Sequence, residues 1–382
     1  MSKLNKTAVM YGAGNIGRGF IGQVFHDSGY EVVFIDVNPE IVAALEKHNS
    51  YTQLVIDDNV TKSRVINNIR AVDGRNKDAV VQEIINCDIM AVSVGTAVLP
   101  HIAPYIACGI KQRDKPFNIL VCENLAHAPD VLKDLITEHL DDPLIIDRVG
   151  FVGTTIGRMV PVVPPEQRVC DPALIAVEKF CTLPLDADSM IEPIPELQHA
   201  VLCSPFAFEV GKKLYIHNMG HALAAYYGFL QDFEFIWQAM EDTAVRSKVH
   251  EAMYVTAEAL ARKYYEDRVK LNEYAEDLLS RFANKGLGDT VARVGGDPMR
   301  KLAPGDRLTG AIDLCCEQGV DYLPVASGIA AALHFYVPGD PSSGLLQARL
   351  NEDGVFTFLR DYCKLQESIV VHCGNMYSRM GL

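Results

Sequence analysis

The stretch Thr7-Ala-Val-Met-Tyr11-Gly12-Ala-Gly14-Asn-Ile-Gly17-Arg-Gly19 decides the fold of the amino-terminal half of the chain. Its first five residues form an apolar run typical of a buried strand, and the residues after Gly19 have helical character. Gly12 permits a tight turn, Gly14 lets the backbone approach a pyrophosphate, and Gly17 lets the helix pack on the strand. The amides at the start of the helix would hold the phosphates. This order of strand, glycine turn and helix predicts a dinucleotide-binding unit.

A second predicted strand carries the residue that would choose between the two nicotinamide cofactors. The strand is Glu31-Val-Val-Phe-Ile-Asp36, and Asp36 stands at its carboxyl end. A carboxylate at this place accepts the hydroxyls of an adenosine ribose and repels a 2'-phosphate, so NAD is favoured over NADP. The alternative is an ordinary turn between a strand and a helix that binds no nucleotide.

Two further predicted strands end in polar residues. Ile89–Val94 is followed by Gly95 and Thr96, and the strand at 118–122 is followed by Glu123 and Asn124. Loops at the carboxyl ends of parallel strands line the cofactor crevice, so we expect Asn124 to project into it and to bind the reacting oxygen. The alternative for Asn124 is an ordinary turn asparagine. The predicted cofactor-binding residues are Tyr11, Gly12, Ala13, Gly14, Asn15, Ile16, Gly17, Arg18, Gly19, Asp36, Gly95 and Thr96.

The sequence pattern changes near the middle of the chain. Strands and helices alternate up to about residue 155, which is typical of a doubly wound parallel sheet. Prolines accumulate up to Pro193 and Pro195, and long helical patterns follow, among them Ala222–Gln238 and Ala244–Lys263. The sequence therefore predicts an α/β protein with an N-terminal Rossmann-type doubly wound sheet in residues 1–192 and a mainly α-helical C-terminal domain in residues 193–382. We expect the second domain to hold the substrate and the catalytic residues.

The second predicted domain contains the stretch Lys213-Leu-Tyr-Ile-His-Asn218-Met-Gly-His221, with a spacing of Lys-x4-Asn-x2-His. Leu214–Ile216 has the composition of a short extended piece. Asn218 is a good helix N-cap, since its side chain can accept a backbone amide two or three residues on. His221 would then lie in the first helical turn, where the backbone amides make the potential positive. We therefore expect Lys213 and His221 to face the same small volume.

This set of side chains suits the oxidation of an alcohol. A lysine that is desolvated among apolar neighbours loses its proton far more easily than in water, so Lys213 can act as general base near neutral pH. Asn218 can donate a hydrogen bond to the developing oxyanion, and His221 can fix the hydroxyl or orient the lysine. The alternative is a solvated Lys213, a capping Asn218 and a structural His221.

Cations concentrate between Arg281 and Arg307, here called the cationic stretch, although the net charge of the chain is -14. Arginine forks match phosphate oxygens, so the stretch suits an anionic group on a small substrate. The alternative is a solvated helix face with ion pairs to Asp289, Asp297 and Asp306. The predicted substrate-binding residues are Asn284, Arg293, Arg300 and Lys301.

A zinc site is a further alternative. His217 and His221 lie four residues apart, so both could bind one zinc ion if the stretch were helical. The residues between them lack the carboxylate of the zinc-protease motif, and the sequence offers no evident third ligand nearby. We therefore predict no metal.

The composition indicates an ordinary globular protein of two domains. The chain has 382 residues, of which 49% are hydrophobic and 22% charged. Its negative charge disfavours a nucleic acid as partner, and no apolar run approaches the roughly 18 residues of a membrane span. No signal-peptide core precedes the first strand, and the ten cysteines contain no Cys-x2-Cys pair. We expect a cytoplasmic monomer or homodimer with reduced thiols and no membrane partner.

Together these motifs resemble the mannitol-1-phosphate 5-dehydrogenase family, within the polyol-specific long-chain dehydrogenases. The resemblance covers essentially the whole chain. The glycine motif matches residues 12–19, the Lys-x4-Asn-x2-His signature matches residues 213–221, and the substrate-side motif matches residues 281–302. The chain departs from the family's pattern at Lys285, where proline is frequent, and at Gly296, where many relatives carry a charged residue.

The resemblance implies an NAD-dependent, metal-independent oxidoreductase that interconverts D-mannitol 1-phosphate and D-fructose 6-phosphate. Its partner would be this small sugar or polyol phosphate. The resemblance further implies that Lys213 is the general acid/base and that Arg293 and Lys301 contact the polyol. The residues that it assigns to the reacting oxygen are Asn124, Asn218 and His221.

Two rival hypotheses stay open. A β-hydroxyacid or phosphogluconate-type dehydrogenase also combines a dinucleotide fold with a lysine and an asparagine on a helical second domain. Its spacing is Lys-x3-Asn, which would require the geometry of Lys213 and His217 instead. The second rival is a regulator that senses NAD, in which Lys213, Asn218 and His221 would have no catalytic role.

Overall fold

The computed structural model describes residues 6–58, 60–123 and 127–381. It divides into two compact units, Met1–Glu209 and Val210–Leu382. The division falls later than the boundary expected at residue 192. The reason lies in two short strands, Leu183–Asp186 and Ala200–Cys203, which pair in parallel and keep this stretch in the first unit.

The first unit contains the β-strands. They are β1 (Thr7–Tyr11), β2 (Glu31–Asp36), β3 (Tyr51–Asp57), β4 (Val60–Ile66), β5 (Ile69–Asp73), β6 (Ile89–Val92), β7 (Phe117–Val121), β8 (Val149–Gly153), β9 (Ile175–Glu178), β10 (Leu183–Asp186) and β11 (Ala200–Cys203). Its α-helices are α1 (Gly22–Asp27), α2 (Pro39–His48), α3 (Lys77–Asn86), α4 (Leu99–Lys111), α5 (Ala128–Thr137) and α6 (Pro165–Cys170). A π-helical turn, Gly17–Ile21, precedes α1, and 3-10 turns occupy Thr96–Val98 and Pro143–Arg148.

Six of the described strands form a parallel sheet in the order β5-β2-β1-β6-β7-β8, and the others form two small sheets, β10-β11 and β4-β3-β9. Side chains along β1 alternate between two cores. Ala8 and Met10 pack with Phe20 of the helical turn after the glycines on one face, whereas Val9 packs with Ile84 of α3 on the other. Helices therefore cover both faces of the sheet, as its apolar strands require. This confirms the predicted doubly wound Rossmann-type sheet.

The second unit is helical in its described residues. Its elements follow α7 (Phe206–Gly211), which begins before the division, and a π-helical turn, Lys212–Asn218. They are α8 (Met219–Phe229), α9 (Ile236–Glu241), α10 (Thr243–Tyr264), α11 (Arg268–Phe282), α12 (Val291–Gly295), α13 (Pro298–Lys301), α14 (Thr309–Glu317), α15 (Leu323–Leu333), α16 (Pro341–Asp353), α17 (Val355–Thr357) and α18 (Glu367–Met380). A 3-10 turn occupies Lys285–Leu287, and a second π-helical turn of this unit occupies Phe358–Tyr362. The mainly helical second domain is thus confirmed.

Helix α8 lies at the centre of the second unit. Its residues from Ala222 to Gly228 are buried on every side, against α9, α10, α12 and α15. Small residues allow the close approach: a Cβ at Gly220 would lie 2.5 Å from the sulfur of Met253, and one at Gly328 of α15 would lie 2.3 Å from a methyl carbon of Leu223. The start of α8 is therefore held firmly by its neighbours.

The single helix expected over Ala222–Gln238 is wrong, because the structure has two. Helix α8 ends at Phe229, and Asp232 takes a left-handed conformation with φ of 54°. The Phe233 amide then bonds back to the Gly228 carbonyl at 3.0 Å, a pattern that closes the end of a helix. An apolar pattern does not reveal this reversal, because both helices bury apolar residues. No described helix is long and apolar enough to cross a membrane.

The close packing of Gly17 against the backbone of the glycine turn can be tested by substitution. We expect Gly17→Ala to destabilise the first unit by about 1–3 kcal/mol, as overpacking typically does. The added methyl would lie only 2.0 Å from the backbone oxygen of Gly12. Gly14→Ala is the matched control, since a Cβ there meets nothing within 4 Å. Calorimetric melting of both variants measures the difference, and equal melting temperatures would contradict the packing argument.

Candidate active site

The glycine turn leaves its backbone open at one place. Gly12 has φ of 101°, and a Cβ there would lie 2.1 Å from the Ser93 oxygen, so a side chain is excluded. Gly14 and Ile16 are partly accessible and Asn15 is exposed. The other predicted cofactor-binding residues of this turn are buried, namely Tyr11, Gly12, Ala13, Gly17, Arg18 and Gly19. The open backbone around Gly14 fits the close approach of a pyrophosphate.

Arg18 supports the turn from inside. Its side chain is 5% exposed, and Nε donates to the Ala13 oxygen at 2.6 Å while Nη1 donates to the Ala173 oxygen at 2.5 Å. The Arg18 carbonyl accepts the hydroxyl of Tyr51 at 2.7 Å. Burial lowers the pKa of this guanidinium. Through these contacts Arg18 stabilises the glycine turn. Direct contact between Arg18 and a cofactor stays a prediction.

Asp36, at the end of β2, reaches the glycine turn. Its carboxylate accepts the Ala13 amide at 2.6 Å and the Asn38 amide at 2.9 Å, one on each oxygen. Each carboxylate oxygen can accept a further hydrogen bond. Asp36 is therefore fixed beside the turn with acceptor capacity remaining for hydroxyl groups.

Glu123, to which the sequence assigned no role, holds the loop after β6. Its Oε1 accepts the amides of Val94 at 2.7 Å and of Gly95 at 3.0 Å. Burial raises the pKa of this carboxyl. Gly95, with φ of 89°, and Thr96 are exposed beyond it. Asn124 lies outside the described residues.

The segment that carries Lys213 is helical, so the expected extended piece at Leu214–Ile216 is wrong. Helix α7, the π-helical turn and α8 follow one another without interruption. Asn218 has φ of -67° and ψ of -35°, and its side chain makes no capping hydrogen bond, so it is not an N-cap. His221 consequently does not lie at an open helix start. The Met219 amide donates to the Leu214 carbonyl five residues back, as in a π-helix.

The π-helical turn changes which residues share a face. On an α-helix of 3.6 residues per turn, a residue five positions after Lys213 would be rotated by about 140° from it. Bonds between residues five apart widen the turn, so Asn218 lies roughly one turn after Lys213 on nearly the same side. His221 follows Asn218 by three residues, which are neighbours on a helix surface. The π-helical turn thus places Lys213, Asn218 and His221 along one face of the helical segment.

Lys213 has the electrostatics of a proton acceptor. Its side chain is partly buried. This burial, followed by the positive charge of Arg307, lowers the pKa of its amine to about 8. His217 is 5% exposed, and burial lowers its pKa well below the usual histidine value. Lys213 can therefore exchange a proton near neutral pH, as the sequence predicted from desolvation.

Asp289 joins His221 to the cationic stretch. The ring of His221 stacks on Phe282, with centroids 4.6 Å apart, and its Nε2 lies 3.4 Å from a carboxylate oxygen of Asp289. Arg293 forms an ion pair with the other oxygen of that carboxylate. Burial would raise the pKa of Asp289, but its contacts with His221 and Arg293 outweigh burial and lower the pKa. The sequence analysis left Asp289 out of the site, although its place four residues before Arg293 indicated a pair.

The other predicted substrate-binding residues have local partners. Arg300 donates to Asp297 at 2.6 Å and lies 3.6 Å from Asp306. Asn284 accepts the Gly286 amide at 2.9 Å. The ion pairs of the solvated-face alternative thus exist, and Arg293 and Arg300 are about half exposed.

Lys301 does not fit the solvated-face alternative. It is 5% exposed, and its ammonium donates to the carbonyls of Val294, at 2.7 Å, and Gly296. Burial, followed by the charge of Arg307, lowers its pKa to about 7. The cationic stretch therefore includes a lysine held inside the second unit.

The zinc alternative requires a helical stretch and a set of nearby ligands, and only the first requirement is met. The stretch is helical, and the rings of His217 and His221 lie 6.4 Å apart between centroids. Within the described residues, no group of three or more His, Cys, Asp or Glu side chains is arranged to hold a metal ion.

Sequence comparison identifies the family. Residues 6–199 match the Rossmann domain of mannitol dehydrogenase, and residues 207–367 match the C-terminal domain of mannitol dehydrogenase. The chain belongs to the mannitol dehydrogenase family. It is accordingly an oxidoreductase, and the predicted family resemblance is confirmed.

Relatives within this family are similar over nearly their whole length. The chain is 36% identical to mannitol-1-phosphate 5-dehydrogenase of Shouchella clausii, over 94% of this chain and 96% of that protein. It is 35% identical to the enzyme of the same name from Brevibacillus brevis, over 91% and 90%. The one from Neosartorya fischeri is 34% identical over 91% of each.

Two solved structures of polyol dehydrogenases share this fold. A substrate-free D-sorbitol dehydrogenase superposes with a TM-score of 0.80 at 16% identity, covering 99% of this chain and 93% of that one. Pseudomonas fluorescens mannitol 2-dehydrogenase, in a ternary complex with NAD and D-mannitol, gives a TM-score of 0.76 at 16% identity, covering 99% and 92%.

The lowered pKa of Lys213 can be measured directly. We expect its acetylation by acetic anhydride, followed by mass spectrometry, to increase with pH to a midpoint near 8, because only the neutral amine reacts. A lysine peptide in the same solution is the control, with its midpoint at about 10.4. If Lys213 titrated with the peptide, the electrostatic argument for this site would be wrong.

Proposed function

We propose that this chain is an NAD-dependent, metal-independent dehydrogenase that interconverts D-mannitol 1-phosphate and D-fructose 6-phosphate. The observation that carries the proposal is Lys213, an amine with a pKa of about 8 on a helical face shared with Asn218 and His221. The names of relatives at 33–36% identity support the choice of substrate.

In the proposed reaction, Lys213 moves the proton of the reacting hydroxyl. Its neutral amine takes the hydroxyl proton as hydride leaves the same carbon during oxidation, and its ammonium returns that proton during reduction. Asn218 donates a hydrogen bond to the oxygen as negative charge develops there. His221, stacked on Phe282 and near Asp289, orients that oxygen. Asn124 is proposed as a further donor to the same atom.

The first unit is proposed to bind the cofactor. Bound NAD would supply the hydride acceptor for alcohol oxidation. The open backbone at Gly14 and the amides of the following turn would hold the pyrophosphate. Asp36 would accept the ribose hydroxyls, and Gly95 and Thr96 would line the same crevice. The fixed position of Asp36 beside the glycine turn supports this assignment.

The cationic stretch is proposed to bind the sugar phosphate. Arg293, Arg300, Lys301 and Asn284 are the residues assigned to this task. Their concentration in a chain of net charge -14 supports an anionic substrate.

The rival hypotheses fit less well. A β-hydroxyacid or phosphogluconate-type dehydrogenase needs Lys-x3-Asn, and position 217 is a histidine. A regulator that senses NAD would not need a lysine whose pKa is lowered toward neutrality. Oxidation of NADH on addition of fructose 6-phosphate, in the presence of EDTA, separates these alternatives from the proposal. Activity lost with EDTA and restored by zinc would instead support His217 and His221 as ligands.

The general-base assignment predicts the behaviour of one variant. Lys213→Ala should lower kcat by about a hundred- to ten-thousandfold, the usual contribution of a general acid or base. Below pH 8 the amine of the wild type is mostly protonated, so mannitol 1-phosphate oxidation should rise as the pH passes through about 8. Reduction of fructose 6-phosphate needs the ammonium and should fall over the same range. Both pH dependences should vanish in Lys213→Ala, while NADH binding, followed by fluorescence, stays nearly unchanged.

The adjacent lysine is the internal control. The ammonium of Lys212 lies over the ring of Tyr274 of α11, 5.1 Å from its centroid. Neighbouring residues on a helix point about 100° apart. Lys212→Ala should therefore keep nearly wild-type activity. If both lysine variants remain active, the proposed mechanism is wrong.

The cofactor assignment makes a separate prediction. We expect the wild type to prefer NAD(H) over NADP(H), and Asp36→Ala to narrow this preference, because it removes a ribose acceptor and a charge that repels the 2'-phosphate. Catalytic efficiencies with both cofactors measure the change. Asp114→Ala removes the same charge before β7, at the opposite end of the sheet, and should leave the preference as it was. Equal efficiencies with both cofactors in the wild type would refute the role of Asp36.

A further inference from the structure

The predicted phosphate ligands differ in how much hydrogen-bonding capacity they keep. Arg293 forms an ion pair with Asp289, and Arg300 lies between Asp297 and Asp306. Lys301 donates to two backbone carbonyls. Each of these cations already has an oxygen partner within the second unit.

Arg307 also contacts a carboxylate, but through its Nε alone. Its side chain is only 11% exposed, and its Nε donates to Oδ1 of Asp306 at 2.9 Å. Its own backbone amide donates to the same oxygen at 2.6 Å, which fixes the start of the side chain. Among the described residues, its terminal nitrogens Nη1 and Nη2 have no hydrogen-bond acceptor. A mostly buried guanidinium thus keeps its terminal fork available.

Packing brings this segment against the turn that carries the proposed general base. Gly310, three residues after Arg307, fits against the Tyr215 ring so closely that a Cβ would lie 2.7 Å from a ring carbon. Tyr215 is the second residue after Lys213 in the π-helical turn. The charge of Arg307 also acts on the amines of both Lys213 and Lys301 and lowers the pKa of each.

Arg300 and Arg307 both lie beside Asp306, and the charge of Arg307 acts on Lys213 and Lys301, so Arg307 lies among several cations of the second unit. A phosphate beside Arg307 would be attracted by these positive charges. A phosphate group suits the fork of Arg307, since guanidinium nitrogens match two phosphate oxygens at once.

We infer that Arg307 is the principal ligand of the substrate's phosphate group and so determines specificity for phosphorylated polyols. The inference rests on the proposed function. It assigns Arg293 and Arg300 to supporting roles, because a terminal nitrogen of each guanidinium already pairs with a carboxylate, that of Asp289 or of Asp306. Asp306 positions Arg307 through the two hydrogen bonds to one oxygen.

The test compares sugar kinetics in Arg307 variants. Arg307→Met should raise the KM for fructose 6-phosphate about ten- to a hundredfold, the range for hydrogen bonds to charged groups. It should weaken competitive inhibition by inorganic phosphate by a similar factor and leave the KM for NADH unchanged. Any slow turnover of unphosphorylated fructose should persist. Arg307→Lys keeps the charge but loses the fork, so its KM should lie between those of the wild type and Arg307→Met.

Arg349→Met is the matched control, because it removes one positive charge from an ion pair with Asp353 on α16. It should leave all sugar kinetics unchanged. A second readout is the pH profile. The charges that act on the turn include those of His221, Arg281 and Arg307 and those of the carboxylates of Asp306, Asp313 and Glu317, and the variant removes only that of Arg307. Loss of its charge should therefore move the rise of polyol oxidation to higher pH, as the pKa of Lys213 increases.

The possible outcomes distinguish a failure of the proposed function from a failure of the inference about Arg307. If the wild type does not turn over fructose 6-phosphate, the proposed function fails. If it does, but Arg307→Met keeps the wild-type KM, or loses fructose turnover by the same factor, the inference about Arg307 fails alone. Should Arg307→Met not fold, phenylglyoxal modification of the wild type decides. Inorganic phosphate should protect Arg307, located by peptide mapping, and unprotected modification would overturn the inference.

Discussion

The π-helical bonding of residues 212–218 is the constraint on which the candidate site depends. It places Lys213 and Asn218 on one side of a continuous helical segment, whereas α-helical bonding would separate them by about 140°. The following helix α8 is buried on every side, with Gly220 in close contact with Met253. The widened turn therefore cannot relax by shifting α8. Such turns recur at functional sites because they re-aim side chains at a modest cost in helical bonding.

Charge in the second unit is arranged around this turn. The exposed arginines form ion pairs with carboxylates, as Arg293 does with Asp289. Lys301 is instead buried on backbone carbonyls, and Arg307 adds its charge to that of the proposed base. Burial disfavours the charged form of each lysine, and neighbouring cations disfavour it further. The same arrangement that would attract a phosphate thus also prepares an amine to exchange a proton near neutral pH.

Two errors of the sequence analysis have one physical origin. Leu214–Ile216 has β-favouring residues, and Asn218 is a frequent cap, so local propensity predicted an extended piece and then a helix start. Propensities of this kind amount to less than about 1 kcal/mol per residue, and tertiary packing readily overrides them. In the structure, Ile216 and His217 are buried within the helical segment. The break near Asp232 was missed for the related reason that apolar spacing continues through it.

The sequence by itself determined the Rossmann-type unit, because its signals are local. The glycines after β1 are dictated by contacts within one strand–turn–helix motif, and Asp36 follows from the end of the next strand. The spacing from Lys213 to His221 likewise identified the family without any coordinates. Only the tertiary structure decided that this stretch is π-helical, that Lys301 is buried and that Arg307 keeps its terminal fork. Those properties depend on contacts between residues distant in the chain, and a local pattern contains no information about them.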